Sequence, residues 1–179
     1  MAVELRELTV PESKEIYEMA REIGAGENGF VNSLYIAGYS KFLKLLPVLR
    51  DYSTGVGLPP GHVPQTLYFL YAEGRPIGYG KLRHWLTDSL RVTGGHIGYC
   101  IRPAARGMGY GTALLAGLLD RARGLGIGRT LLTCNEDNAR SRRVIENNGG
   151  RMAELDNRYC RYWIDLSNDS PAADRDKSK

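Results

Sequence analysis

The stretch GGHIGYCIRPAARGMGYGTALLAGLLDRARGLGI, from Gly94 to Ile127, decides the fold of this chain. It predicts a strand, then a glycine-rich turn, RGMGYG at residues 106–111, and then a helix that begins on that turn. A glycine loop at a helix N-terminus collects unpaired backbone N–H groups, and the helix dipole adds partial positive charge. We therefore expect a phosphate or pyrophosphate site at this turn.

Three phosphate-binding patterns compete for this turn. A P-loop requires Gly-Lys followed by Ser or Thr, which the sequence does not contain. A dinucleotide-binding fold requires G-x-G-x-x-G directly after the first strand, whereas this turn has G-x-G-x-G in mid-chain and no later acidic ribose ligand. The third pattern, Gln/Arg-x-x-Gly-x-Gly/Ala, is satisfied by Arg106, Gly109 and Gly111.

The sequence around the turn predicts one mixed α/β domain over residues 1–166 and a polar, flexible tail over residues 167–179. The predicted order is strand, two helices, three strands, helix, strand, helix and two strands. The predicted strands are Val3–Val10, Gln65–Ala72, Pro76–Trp85, Gly95–Arg102, Thr130–Thr133, Arg151–Asp156 and Tyr159–Leu166. The predicted helices are Glu12–Ile23, one or two within Leu34–Arg50, Tyr110–Arg123 and Asn138–Asn147. The helix Tyr110–Arg123 is predicted to bury one face, formed by Leu114, Leu115, Leu118 and Leu119.

Composition narrows the class of protein further. The 179 residues are 42% hydrophobic, enough for one core, and no apolar run is long enough to span a bilayer. The N-terminal sequence MAVELRELTV has no basic region typical of a signal peptide. Three widely spaced cysteines lack metal-ligand spacing, and a net charge of +4 is too mild to indicate nucleic acid. We therefore expect a cytoplasmic protein with no metal and no nucleic-acid or membrane partner.

The segments GGHIGYCIRP and LLTCNEDNARSRRVIENNGG, with the turn and the element order, resemble the GNAT acyltransferase superfamily. These enzymes move an acyl group from acyl-coenzyme A to an amine. The resemblance covers most of the chain, is strongest over residues 94–150, and looks closest to a branch of predicted bacterial acetyltransferases. It implies the GNAT fold: a mixed, mainly antiparallel twisted sheet of about seven strands, with flanking helices and splayed central strands.

The resemblance also implies acetyl-coenzyme A as the co-substrate. Backbone N–H groups of the turn would hold its pyrophosphate, and the preceding strand would pair with its pantetheine arm. Asn138 falls on the family's pantetheine-contacting asparagine and is also suited to cap a helix. The cofactor-binding residues so implied are Tyr99, Cys100, Ile101, Arg106, Gly107, Met108, Gly109, Tyr110, Gly111, Thr112, Asn138 and Ser141.

Acyl transfer to an amine requires a proton acceptor. A lysine-type amine has a pKa of about 10.4, so only about one molecule in a thousand is neutral at pH 7. The resemblance places His96 where some GNAT enzymes carry a glutamate base, and histidine accepts protons near neutral pH. His96 is therefore the candidate catalytic base. The alternative is a strand histidine that hydrogen-bonds a neighbouring loop.

The leaving thiolate requires a proton donor. Many GNAT enzymes use a tyrosine at a helix position that is Ile145 here, and isoleucine cannot donate. In the related N-terminal acetyltransferases that modify ribosomal proteins, a serine one turn earlier can serve. Ser141 occupies that place and is the candidate catalytic acid. A capping or back-bonded serine is the alternative interpretation.

Four further residues are candidates for the acceptor side. Glu27, Asn28 and Phe30 lie in an early glycine-rich loop, where Glu27 would suit a cationic acceptor. His84 ends a predicted strand and could line the acceptor site, although a surface histidine at a strand end is the simpler interpretation.

These observations predict an acetyltransferase that moves acetyl from acetyl-coenzyme A to a primary amine of an unidentified acceptor, by direct attack in a ternary complex. Two alternatives stay open: a non-catalytic coenzyme A-binding regulatory or interaction module, which the missing tyrosine favours, and an acyltransferase for another acyl group. Cys134 near the expected cleft leaves a ping-pong route open. The closing strands and Trp163 could pair across a homodimer.

Overall fold

A computed structural model describes residues 2–11 and 14–167, so most of the expected tail lies outside the described residues. The strands are β1 (Val3–Glu7), β2 (Gln65–Ala72), β3 (Arg75–Arg83), β4 (Ile97–Ile101), β5 (Arg129–Asn135), β6 (Arg151–Asp156) and β7 (Tyr159–Asp165). The helices are α1 (Lys14–Ile23), α2 (Tyr39–Asp51), α3 (Asp88–Val92), α4 (Tyr110–Gly124) and α5 (Ala139–Asn147), with 3₁₀ turns at Tyr52–Thr54 and Pro103–Ala105.

Within these residues, the seven strands form two antiparallel sheets, ordered β1-β2-β3-β4 and β5-β7-β6. β4 and β5 each end a sheet, and they meet only near their beginnings. There the His96 N–H donates to the Leu131 carbonyl at 2.7 Å. Beyond this point no strand pairing joins β4 to β5 in the described part of the chain. The mixed α/β fold with splayed central strands is therefore confirmed.

The core has two parts, one on each side of the β1–β4 sheet. α4 buries the predicted stripe, formed by Leu114, Leu115, Leu118 and Leu119. Each fully buried leucine contributes about 1.5–3 kcal/mol to folding. α4 can approach β3 closely because Gly80 has no side chain: a Cβ there would come within 2.4 Å of Leu118. α1 and α2 pack over the other face around Tyr79.

Two local features complete the sequence prediction, which left one or two helices open within Leu34–Arg50. The region 34–50 contains one helix, which begins at Tyr39 because Gly38 precedes it with a positive φ of 92°. The short helix α3 was not predicted. Thr87 caps it, since its hydroxyl accepts a hydrogen bond from the Leu90 N–H at 3.3 Å. No helix among residues 2–11 and 14–167 combines the length and apolarity needed to cross a bilayer.

Candidate active site

A cleft of about 860 Å³ opens where β4 and β5 diverge. One end is the glycine turn before α4, and the walls come from β4, β5 and the start of α5. The loop 27–31 and the end of β3 close the other side. Because the described residues of β4 and β5 hydrogen-bond to each other only near His96, the gap beyond it is a consequence of the topology.

The glycine turn leaves the start of α4 open to this cleft. Gly107 and Gly109 have φ values of 80° and 83°, a left-handed conformation that other residues adopt at a cost. Gly109 is the N-cap residue, and no side chain caps the helix. At position 111 glycine is favoured by close packing, because a Cβ there would come within 3.2 Å of the Val144 side chain on α5. First-turn amides and the helix dipole thus face a cavity suited to an anion.

Arginines reinforce the positive character of this end. Arg106, Arg140 and Arg143 all line the cleft. Arg106 is held from two sides: its Nε donates to the Ile101 carbonyl at 3.0 Å, and its Nη2 lies 2.8 Å from the Glu27 carboxylate. The acceptor-side candidate Glu27 lines the cleft, but its carboxylate is already paired with Arg106. Asn28 and Phe30 line it as well.

A polar cluster lies in the gap between β4 and α5. The Tyr99 and Ser141 hydroxyls are 3.1 Å apart, and both residues line the cleft. Asn138 is the N-cap of α5, its Oδ1 accepting the Ser141 N–H at 3.1 Å. Burial raises the pKa of Tyr99 well above its ordinary value, so its hydroxyl stays protonated. Burial also raises the pKa of the Cys134 thiol to about 11, which keeps it in the poorly nucleophilic thiol form.

His96 lies outside the set of residues that line the cleft. Its side chain is 8% exposed, and its Nδ1 accepts the Leu131 N–H at 2.9 Å. The neutral ring therefore carries its proton on Nε2, and neither nitrogen is free to accept one from a ligand. Burial, with smaller contributions from Arg91 and Arg83, lowers the pKa of His96 to about 4. This geometry gives no support to His96 as a general base.

Three other candidates lie apart from the cleft lining. The His84 Nε2 is 2.9 Å from the Thr66 hydroxyl at the end of the hairpin. Met108 is 52% exposed, and Tyr110 packs against the α4 side of the core. Cofactor-site candidates that do line the cleft are Tyr99, Cys100, Ile101, Arg106, Gly107, Gly109, Gly111, Thr112, Asn138 and Ser141.

Four basic lining residues were missed by the sequence analysis: Lys81 and Arg83 of β3, and Arg140 and Arg143 of α5. Lys81 and Arg83 lie at the end of β3, and both side chains reach the cleft. The available signal was the alternation of side chains from Tyr79 along β3, which places Lys81 and Arg83 on one face. Among residues 2–11 and 14–167, no three His, Cys, Asp or Glu side chains are grouped so as to hold a metal ion.

Comparison with known proteins connects this geometry to a family. The sequence profile described as the acetyltransferase (GNAT) family matches residues 44–149. The chain belongs to the GNAT acetyltransferase family. Membership in the GNAT family supports acetyl transfer as the general reaction. No curated protein sequence matches the chain.

Solved structures show the same fold. The Campylobacter jejuni N-acetyltransferase PseH in complex with acetyl coenzyme A has a TM-score of 0.63 and 14% identity, covering 93% of this chain and 100% of that chain. The ribosomal L7/L12 alpha-N-protein acetyltransferase RimL in complex with coenzyme A has a TM-score of 0.67 and 17% identity, covering 92% of this chain and 94% of that chain. The putative acetyltransferase yncA of Salmonella typhimurium, with its cofactor acetyl-CoA, has a TM-score of 0.62 and 16% identity, covering 95% of this chain and 97% of that chain. Identities this low relate these GNAT proteins to the chain by fold alone.

Proposed function

We propose that this protein transfers an acetyl group from acetyl-coenzyme A to a primary amine, by direct attack of the amine within a ternary complex. The observation that carries the proposal is the uncapped start of α4. Two left-handed glycines open it into a cleft that continues to the β4–β5 gap. The structures of PseH and yncA hold acetyl-coenzyme A, and that of RimL holds coenzyme A, which supports the same donor here.

We propose a position in the cleft for the pyrophosphate, the pantetheine arm and the thioester of this donor. The pyrophosphate lies at the first-turn amides of α4, where Arg140 and Arg143 supply additional positive charge. The pantetheine arm follows β4, which pairs with β3 on one edge and faces the gap on the other. Asn138 uses its Oδ1 as a helix cap, so its amide Nδ2 is available to the pantetheine. The thioester then lies deep in the gap.

The departing thiolate receives a proton from the polar cluster. Ser141 is the donor, and the proton that the amine releases to cleft water replaces the one that Ser141 gives up, relayed through the Tyr99 hydroxyl 3.1 Å away, so that both hydroxyls end protonated. A coenzyme A thiol has an ordinary pKa of about 8.5, so this step needs only modest assistance. The position where the resemblance to many GNAT enzymes would place tyrosine is Ile145, which lines the cleft and is buried in the same core cluster as the α4 leucines.

The amine loses its proton to water in the cleft. His96 instead fixes the point where β4 and β5 diverge, because it is bonded to Leu131 through both its backbone N–H and its ring. It thereby sets the width of the gap that receives the thioester. No acyl-enzyme intermediate is required, and the thiol form of Cys134 is unsuited to provide one.

The experiment is an amine-panel assay with acetyl-coenzyme A, reading thiol release and the mass of the product. Acetylation of at least one amine, first order in enzyme, supports the proposal. Binding of acetyl-coenzyme A with only slow thioester hydrolysis across the panel would instead indicate the non-catalytic module. Faster transfer from a longer acyl-coenzyme A would replace acetyl as the group transferred.

A further inference from the structure

We propose that the acceptor amine also carries an anionic group, a carboxylate or a phosphate, which Lys81 and Arg83 bind at the end of the cleft opposite the glycine turn. This inference rests on the proposed function, because it assigns the substrate class of that same site. The chemistry common to the two possible sources is a compact anion a short distance from a primary amine.

The strand register places these two cations far from the pyrophosphate site. Lys81 lies directly opposite Gly98, and the Arg83 N–H donates to the His96 carbonyl at 2.8 Å. Both are therefore at the beginning of β4, whereas the glycine turn follows its end at Ile101. Four residue steps along β4 separate Ile97 from Ile101, about 13 Å at 3.3 Å per residue. A group held by Lys81 and Arg83 is thus beside the thioester end of the bound donor.

Lys81 is a buried cation whose ammonium group has N–H donors that the protein does not use. Its side chain lies under the loop 27–31, and the residue as a whole is 8% exposed. Its Nζ donates to the Val31 carbonyl at 2.7 Å and lies 5.0 Å from the centre of the Phe30 ring. An ammonium has three N–H donors, so one protein acceptor leaves two for a ligand. Gly98 opposite contributes no side chain, and the Phe30 ring lies 3.4 Å from the position that a Cβ there would take.

Arg83 is a second cation at the same end of the cleft. Its Nη1 donates to the carbonyls of Gly94 at 3.2 Å and Gly95 at 2.9 Å, which orients the guanidinium. Its other N–H groups have no protein acceptor within the described residues, and a guanidinium fork matches carboxylate and phosphate geometry. Burial lowers the pKa of both groups, that of Lys81 to about 8, and repulsion from Arg83 contributes to the shift of Lys81.

Neither cation has a protein counter-ion. Among residues 2–11 and 14–167, no carboxylate lies within 4 Å of the Lys81 or Arg83 side-chain nitrogens. Glu27 is the single acidic residue in the cleft lining of this part of the chain, and Arg106 already pairs with it. A buried and a half-buried cation side by side without a counter-ion are costly. An anionic group on the acceptor would remove this cost, whereas an acceptor whose only charge is its ammonium group would be repelled.

The test compares matched acceptors that differ in the anion alone: phosphoethanolamine with ethanolamine, glucosamine 6-phosphate with glucosamine, and an amino acid with its amide. The wild-type enzyme should favour the anionic member of at least one pair by about tenfold or more in kcat/KM. The phosphate and carboxylate pairs separate the two sources. Equal or better turnover of the neutral members in every pair overturns the inference while leaving acetyl transfer intact.

The variant Lys81→Met keeps the length and removes the charge. It should reduce the anionic-to-neutral ratio of kcat/KM by about tenfold or more, and Lys81→Arg should restore much of that ratio. The matched control is Lys44→Met, at an exposed position on α2, which should leave the ratio unchanged. Loss of acetyl-coenzyme A affinity in Lys81→Met would show that Lys81 binds the donor. An equal loss of kcat/KM for anionic and neutral acceptors would show that Lys81 serves the reaction in general. Either result overturns the inference.

A second measurement does not depend on turnover. Calorimetry of phosphoethanolamine and of the amino acid against the enzyme saturated with coenzyme A should show binding that Lys81→Met weakens about tenfold. The donor phosphate site is occupied in this complex, so it cannot account for the heat. If no amine is acetylated yet this binding is seen, the proposed function fails and the anion site stands. If neither anion binds, the anion site is refuted even where acetylation occurs.

Discussion

Replacing His96 by asparagine separates a role in strand junction from a role in proton transfer. The Asn side-chain oxygen can take the place of Nδ1 as acceptor for the Leu131 N–H, but asparagine does not titrate. In the wild-type protein the pKa of His96 falls from 6.5 to about 4 on folding, because burial disfavours the charged ring. Between those two values the unfolded chain binds more protons than the folded one, so the free energy of unfolding rises with pH across that window.

The magnitude follows from the size of the shift. At 1.36 kcal/mol per pKa unit, acidification from pH 7 costs the wild type about 2 kcal/mol through His96 by pH 5 and about 3 kcal/mol by pH 4. Urea unfolding followed by tryptophan fluorescence measures this, since Trp163 lies opposite Leu131 in the β5–β7 ladder. The His96→Asn variant should lack this part of the pH dependence. His96→Ala should lose about 1–3 kcal/mol at neutral pH, because the buried Leu131 N–H is left unpaired.

Kinetics provide the decisive comparison. His96→Asn should retain acetyl transfer, with the same dependence of kcat/KM on pH as the wild type. A general base contributes about 10²–10⁴-fold to the rate, so a loss of that size with acetyl-coenzyme A affinity retained would restore His96 as the base. A pH dependence of stability identical in the two proteins would refute the junction role.

Three further predictions concern the rest of the cleft. Ser141→Ala should lower kcat by about tenfold or more with little change in the affinity for acetyl-coenzyme A, and Ser40→Ala at an exposed position on α2 should have no effect; an unaffected kcat would leave thiolate protonation to water. Cys134→Ala should retain transfer, and the wild type should show no burst of free thiol without acceptor, since the raised pKa of the thiol disfavours an acetyl-enzyme; mass spectrometry of the protein after mixing decides this. The preference for an anionic acceptor should decline as pH rises through about 8, where Lys81 beside Arg83 and Cys100 loses its charge; a preference constant from pH 7 to 9.5 would show that Lys81 does not supply it.

The sequence was most informative where structure depends on local pattern. The glycine turn, the helix after it and the buried leucine stripe of α4 are set by residues a few positions apart, and each is found as predicted. Asn138 caps α5 for the same reason, because its partner Ser141 is three residues away. Together with the element order, these signals were sufficient for the fold.

Contacts between distant segments could not be predicted in this way. Lys81 resembles an ordinary strand lysine until the β3–β4 register places it opposite Gly98 and under Phe30. His96 has a residue type and a strand position suited to a base, but its partner Leu131 is 35 residues away in the other sheet. Burial at that junction lowers the pKa of His96 away from the near-neutral value that suits a general base. The sequence does not predict this burial, because it depends on the tertiary structure.

The central claim is that the open N-terminus of α4 binds the pyrophosphate of acetyl-coenzyme A. Calorimetry with purified protein measures this most directly, comparing the wild type with Gly109→Ala and with the control Gly124→Ala at the other end of the same helix. Gly109→Ala forces a Cβ into a left-handed position at the turn and should weaken binding by about tenfold or more, whereas Gly124→Ala should bind as the wild type does. Equal affinity for all three proteins, or no binding by the folded wild type, would contradict the account.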